Sequence, residues 1–210
     1  MTHVINARAE RKEKSHERIL DSAARLLRER GIAGAGVADV MKGAALTVGG
    51  FYAHFASKEA LINEALRRTG ASTREGLFAR IGDKPAADRA EVILKRYLSP
   101  AHRDATTVGC PLSAVVGEVG TTANEHSEVL GEQIGIMASQ LEALLPASGT
   151  IPRRYLALGL VALMYGGLSL SRRPPGDLAL GRGAQGRTVA RRARGPRRSE
   201  VVTLEPRLSR

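Results

Sequence analysis

Apolar residues recur at helical spacing along most of this 210-residue chain, and the alternation typical of strands is nearly absent. The first stripe follows the pattern i, i+1, i+4, i+7 and i+8 and ends at Gly31, a residue type that commonly follows a helix. Its members are Ile19, Leu20, Ala23, Leu26 and Leu27. The pattern predicts a first amphipathic helix.

Shorter helices are predicted next. Val37, Val40 and Met41 mark a short second helix, Thr47 is expected to cap a third that runs to about His54, and Ser57 is expected to cap a fourth. The fourth helix has the stripe Leu61, Ile62, Ala65 and Leu66.

After Gly70 the pattern predicts longer helices. One stripe runs from Ala86 to Leu98, a second from Leu112 to Val119 with Pro111 in its first turn, and a third from Leu130 to Leu145, ending near Pro146. The chain is therefore predicted to be all-α.

Residues 155–170, "YLALGLVALMYGGLSL", are uncharged and apolar on every side. A membrane span would need about 20 apolar residues, and this run is shorter and contains three glycines. We expect a helix buried all round in a core or a subunit interface, and no membrane association.

Residues 46–61, "LTVGGFYAHFASKEAL", set two glycines inside a predicted helix. Two interior glycines cost roughly 2 kcal/mol of helix propensity relative to alanine. Only "GAAL" separates this helix from the preceding short one, which is the spacing of a helix-turn-helix whose second helix lies in the DNA major groove. The pattern predicts a DNA-binding segment over residues 36–55.

Each residue type in this segment has an expected role. Gly49 and Gly50 would let the backbone approach a phosphate or a base edge, and Lys58 would supply a second phosphate contact beside free backbone N–H groups. Aromatic residues divide into packing and contacting positions. Phe51 and Phe55 would pack against the first and fourth helices, while Tyr52 and His54 would direct polar tips towards the duplex.

The stretch "GVADVMKGAALTVGGFYAHFASKEAL", preceded by "RILDSAARLLRERG", resembles the N-terminal DNA-binding domain of the TetR family of bacterial repressors. The resemblance covers about the first 65 residues. The positions that match the family pattern in order and spacing are Thr47, Gly49, Tyr52, His54, Phe55, Ser57 and Lys58.

Two positions depart from that pattern. Ala45 stands in the helix-turn-helix turn, where the family usually has glycine, and an alanine at positive φ would be strained by about 1 kcal/mol, which would distort or weaken the turn. Val48 stands where relatives often carry a basic residue. A valine can contact a thymine methyl group but cannot hydrogen-bond a guanine, so an altered base preference is expected.

The resemblance implies a C-terminal helical domain that binds a ligand and forms a homodimer through two helices, here the helix ending at Leu145 and the run from Tyr155. It implies a repressor that binds a palindromic operator in double-stranded DNA and is released by an unknown small molecule or electrophile. The alternative is a helical dimeric sensor or interaction protein with impaired operator binding. We predict domains at residues 13–73 (DNA binding), 74–172 (ligand binding and dimerisation) and 173–210 (an Arg-rich tail).

Most of the net charge of +11 lies in that tail. Residues 172–210 hold 11 Arg, no Lys and 3 acidic residues, a net charge of +8. A basic arm that adds salt-dependent affinity for nucleic acid is one explanation, and a shifted reading frame in GC-rich DNA is the other. Disorder is expected from about residue 173 on either explanation.

Cys110, the single cysteine, lies in "TVGCPLSAVVGEV" at the start of a predicted helix. Free N–H groups there can lower a thiol pKa, and the Gly-Cys segment resembles the electrophile-sensing branch of the family. A redox or electrophile sensor is therefore one interpretation, and a small cysteine that packs a helix end is the other.

Other chemistry receives little support from the sequence. No disulfide, metal site or cofactor is expected, and no P-loop, GxGxxG run or catalytic constellation can be argued from spacing. We expect His3, His16, His102 and His126 to be solvated. Because no catalytic constellation can be argued, we predict that the protein is not an enzyme. The polar N-terminus lacks an apolar targeting segment, so a cytoplasmic location is predicted.

Overall fold

A computed structural model describes residues 2–105, 109–146 and 150–172. Within these ranges the chain forms helices and no strand, which confirms the all-α prediction. The α-helices are α1 (Thr2–Arg30), α2 (Val37–Gly43), α3 (Lys58–Phe78), α4 (Arg89–Tyr97), α5 (Pro100–Asp104), α6 (Leu112–Val119), α7 (Ser127–Glu142) and α8 (Arg153–Ser171). Short 3₁₀ helices span Val48–Ala53, Ile81–Asp83, Ala86–Asp88 and Asn124–His126.

Two predicted helix ends are confirmed and one is wrong. Gly31 follows α1 with φ 69°, and the Ser57 hydroxyl accepts a hydrogen bond from the Ala60 N–H at 3.0 Å. The Thr47 side chain makes no capping hydrogen bond, because the segment after it is a 3₁₀ helix. There the Thr47 carbonyl itself accepts from the Gly50 N–H at 3.0 Å.

Helix α3 continues through Gly70 to Phe78, further than its apolar stripe indicated. Gly70 is buried at a close approach to α7, where an added Cβ would collide with the Gln133 amide oxygen. Arg74 donates to that same oxygen at 2.7 Å. The glycine is therefore a packing position inside a helix.

The first three α-helices and the 3₁₀ helix Val48–Ala53 enclose one part of the hydrophobic core. Its fully or nearly fully buried side chains include Ile19, Leu27, Val40, Met41, Phe51, Phe55, Leu61, Ile62 and Leu66. Because α6 packs on α1 and α7 packs on α3, this core continues into the C-terminal helices.

Helices α7 and α8 pack along each other, and α6 and α4 also contact α8. One face of α8 is buried, but the opposite face is uncovered, and Leu163 is 55% exposed. Burial of α8 all round in the core of the single chain is therefore excluded, because no described helix covers its outer face, and burial of that face in a subunit interface stays a prediction. By length and composition alone α8 could cross a membrane, a test that core helices of soluble proteins also pass.

The segment 173–210, for which a basic arm or a shifted reading frame was considered, lies outside the described residues.

Candidate nucleic-acid interface

The turn between α2 and the 3₁₀ helix Val48–Ala53 ends α2 in a hydrogen-bonded Schellman motif. The Leu46 N–H donates to the Met41 carbonyl at 2.9 Å, and the Ala45 N–H donates to the Lys42 carbonyl at 3.0 Å. Ala45 has φ 53°, which confirms the predicted positive φ. Both motif bonds are present, so the predicted distortion is absent and the strain is confined to one residue.

Arg18 of α1 supports this turn, and the sequence did not reveal it. Its Nη2 donates to the Ala44 carbonyl and, at 3.3 Å, to the Ala45 carbonyl. These acceptors lie 26 and 27 residues away and are backbone atoms, so no side-chain pattern signals the contact. Arg18 fixes the position of the turn against α1.

The 3₁₀ helix Val48–Ala53 separates a buried side from an exposed one. Phe51 is 1% exposed and Phe55, just after the helix, is 4% exposed, and their ring centroids lie 5.8 Å apart. Val48 is 51% exposed and Tyr52 is 77% exposed. Two large side chains thus face solvent on a base of buried aromatic rings.

The two glycines of this segment are not required by the fold. At Gly49 an added Cβ would meet no described atom within 4 Å beyond its immediate neighbours, and at Gly50 it would make only ordinary contacts with Met41 and Thr47. Neither glycine has a positive φ. Within the described chain, neither a close contact nor a positive φ therefore offsets the cost of these two glycines in helix propensity.

His54 and Lys58 are partly engaged with the protein itself. The His54 ring lies 6.0 Å from His16, and its Nδ1 is buried without a hydrogen-bond partner among the described residues. Burial lowers the pKa of His54, and the nearby His16 and Lys12 lower it further. The Lys58 ammonium donates to the Ile32 carbonyl at 3.3 Å. Their contacts with DNA stay predictions.

Glu118 of α6 is a second residue that the sequence did not reveal. Its carboxylate accepts from the Ile32 N–H at 3.1 Å and from the Ala33 N–H at 2.9 Å, in the loop between α1 and α2. An added Cβ at Gly31 would collide with this carboxylate. Glu118 thus connects the C-terminal helices to the loop that precedes the helix-turn-helix.

Cys110 is fully buried, and helix α6 begins two residues later, at Leu112. Burial raises the pKa of the Cys110 thiol, against the lowering contributions of Tyr97 and of the backbone at Leu112 and Ser113. The predicted lowering of its pKa is therefore wrong, because loss of solvation outweighs the helix terminus.

His102 and His126 are less solvated than expected. His126 is 2% exposed and its Nδ1 lies 2.7 Å from the Asn63 amide oxygen. His102 is partly buried, with Nδ1 2.6 Å from the Tyr97 carbonyl and Nε2 accepting from the Cys110 N–H at 3.1 Å. The expectation that these two are solvated is wrong. Side chains of the part of the chain described here form no group of three or more metal-ligating residues.

Comparison with known proteins finds similarity to TetR-family regulators. Residues 19–65 match the family model described as bacterial regulatory proteins, tetR family. A TetR transcriptional regulator from Chloroflexus aurantiacus is similar with a TM-score of 0.68 at 25% identity, covering 78% of this chain and 86% of the other. A TetR-family regulator from Cytophaga hutchinsonii gives 0.63 at 22% identity, covering 77% and 85%. The reduced form of NemR from E. coli gives 0.62 at 22% identity, covering 75% and 86%.

No curated protein matches the sequence. The fold and the exposed 3₁₀ helix define the class as a helix-turn-helix, DNA-binding regulator with a helical C-terminal part. More narrowly, residues 19–65 match the family model of tetR-type bacterial regulatory proteins, and the fold is similar to that of solved TetR-family regulators.

Proposed function

We propose that the protein is a cytoplasmic, homodimeric repressor that binds a palindromic operator and is released by a small molecule. DNA contact is assigned to Thr47, Val48, Gly49, Gly50, Tyr52, His54 and Lys58. The observation that carries the proposal is the exposed face of the 3₁₀ helix, where Tyr52 and Val48 project and Gly49 leaves the backbone bare. A backbone without side chains there can approach a phosphate or a base edge closely.

Gly49→Ala tests this directly. The new methyl group enters open space in the protein, so the melting temperature should stay unchanged or rise. In the complex the methyl group would lie between backbone and DNA, so we expect operator affinity to fall at least about tenfold, the equivalent of 1.4 kcal/mol. Fluorescence anisotropy with the palindromic DNA upstream of the protein's own gene gives the affinity, with an unrelated duplex as reference.

Gly76→Ala is the matched control. Gly76 also has open space around an added Cβ, but it lies in α3, outside the helix-turn-helix. This variant should keep operator affinity. If Gly49→Ala binds the operator as tightly as Gly76→Ala does, the close approach at Gly49 does not occur.

Dimerisation is assigned to the uncovered face formed by α7 and α8. This face exposes Tyr155, Leu156, Leu158, Leu163 and Leu170 from α8 and Ile136 from α7. Contiguous apolar patches on soluble proteins commonly mark interaction sites. Leu163→Glu should convert a dimer to a monomer in analytical ultracentrifugation, whereas Gly76→Glu should leave the dimer intact. A dimer that persists in Leu163→Glu would exclude this face.

The release by a small molecule is assigned to the C-terminal helices. The Tyr165 hydroxyl there is buried without a hydrogen-bond partner among the described residues. Glu118 on α6 offers a route from these helices to the loop before α2. A ligand that displaces α6 would weaken this contact and shift the helix-turn-helix away from its DNA-binding position.

The second candidate is a dimeric sensor or interaction protein with impaired operator binding, and the observation favouring it is the positive φ of Ala45. The complete Schellman bonding and the Arg18 contacts favour a functional turn instead. Anisotropy separates the two, because the alternative predicts equal, salt-sensitive binding to the operator and to the unrelated duplex.

A further inference from the structure

A cavity of about 520 Å³ lies between α1, the C-terminal end of α2 and α3. It is separate from the exposed 3₁₀ helix Val48–Ala53 and from the uncovered face of α7 and α8. Three arginines line it, Arg25 and Arg28 from α1 and Arg68 from α3, together with a single acidic residue, Asp21.

Each guanidinium group has some protein contact, but the contacts differ. Arg68 forms ion pairs with two carboxylates, those of Glu17 at 2.5 Å and Asp21 at 3.0 Å. Among the described residues Arg25 pairs with Glu29 of its own helix at 3.4 Å, and the contacts of Arg28 include the Gly109 carbonyl, to which it donates at 2.5 Å. Arg68 is thus neutralised locally, whereas Arg25, with its single long ion pair, contributes positive charge at the cavity.

A buried hydroxyl group adds a second, independent observation. Ser22 is 4% exposed, lines the cavity, and its Oγ has no hydrogen-bond partner among the described residues. An unpaired buried hydroxyl is costly unless a ligand or water satisfies it.

Gly43 keeps the space between these groups open. An added Cβ at Gly43 would collide with the Ser22 hydroxyl and would come within 2.7 Å of the Arg25 Nη2 atom. The hydroxyl and the guanidinium therefore converge on one point beside the end of α2. Hydrogen-bond donors arranged in this way, one hydroxyl and planar guanidinium groups, are suited to a carboxylate or a phosphate.

We propose that this cavity binds a small oxyanion, the phosphate or carboxylate group of a free small molecule, through Ser22 and Arg25. Because the site is formed by α1, α2 and α3, a bound oxyanion fixes α2 relative to the two helices that support it. This binding does not depend on the proposed operator function.

Isothermal titration calorimetry of the full chain tests the site, with inorganic phosphate and acetate as probes and ionic strength held constant with chloride. We expect saturable binding of at least one probe. Ser22→Ala and Arg25→Gln should each weaken it at least about fivefold, the equivalent of about 1 kcal/mol for a lost hydrogen bond. Ser22→Ala removes an unpartnered hydroxyl, so its melting temperature should not fall.

Arg67→Gln is the matched control. Arg67 precedes Arg68 on α3, but its guanidinium pairs with Glu132 at 2.9 Å and does not line the cavity. Like Arg25→Gln, this variant removes one positive charge, but from α3 and outside the cavity, so it should bind the probes like the unmodified protein.

Three outcomes would overturn the proposal. The first is the absence of saturable binding, and the second is binding that the Ser22 and Arg25 variants leave unchanged. The third is that an unrelated DNA duplex displaces the probe and that Arg25→Gln loses affinity for this duplex. The last outcome would assign the site to a backbone phosphate of DNA. Since the titration contains no operator, failure of operator binding leaves this result interpretable.

Discussion

Replacing Ala45 by glycine should stabilise the protein. Ala45 has φ 53°, and a non-glycine residue in the left-handed region costs roughly 1–2 kcal/mol. Glycine removes that cost but adds about 0.4–1 kcal/mol of conformational entropy to the unfolded chain. The net gain in the free energy of unfolding should be about 0.5–1 kcal/mol, which for a chain of this size raises the melting temperature by about 1–4 °C.

Circular dichroism at 222 nm during thermal and urea unfolding measures this effect, at one fixed protein concentration because dimerisation also contributes to stability. Arg80→Gly is a parallel case, since Arg80 has φ 54° and its pairing with Asp83 is solvent-exposed. Gly31→Ala should lower the free energy of unfolding, because Gly31 has φ 69° and an added Cβ there would collide with the Glu118 carboxylate.

The refuting result for this reasoning is an Ala45→Gly variant that unfolds at the same or a lower urea concentration with an unchanged m value. The Schellman bonds and the Arg18 contacts would then have to accommodate the alanine without strain.

Three further predictions concern buried groups. Glu118→Ala should lower the free energy of unfolding by about 2 kcal/mol, measured by urea unfolding, because two backbone N–H groups lose a charged acceptor; an unchanged value would mean that water replaces the carboxylate. The Cys110 thiol should react with a thiol reagent about tenfold or more slowly in the native protein than in urea, because it is fully buried and its pKa is raised; equal rates would contradict this. Burial lowers the pKa of His102 and His126, so below about pH 6.5 the unfolded chain binds more protons and stability should fall from pH 7 to pH 5. A His126→Asn variant should reduce that fall, and a melting temperature independent of pH over this interval would argue against it.

Local signals in the sequence were sufficient for most of the helical framework. The apolar stripes identified α2, α3, α6, α7 and α8, Gly31 marked the end of α1, and Ser57 marked the start of α3. The positive φ of Ala45 also followed from local geometry, since the turn of a helix-turn-helix requires it whatever residue stands there.

Features that depend on distant packing could not be predicted in this way. Helix α1 begins at Thr2, well before its apolar stripe, because its N-terminal part is polar. The raised pKa of Cys110 depends on burial by residues from several helices, which no local pattern records. Arg18 and Glu118 bond to backbone atoms, and their acceptors and donors carry no side-chain signature.

The Glu118 contact also bears on how freely the N-terminal domain can be exchanged between proteins. Ile32 and Ala33 lie within residues 19–65, but the carboxylate that binds their N–H groups comes from α6. A chimera that joins these residues to the C-terminal helices of another regulator would lose this carboxylate unless the new partner presents an acidic side chain at the same place. The exchangeable unit is therefore the N-terminal domain together with Glu118.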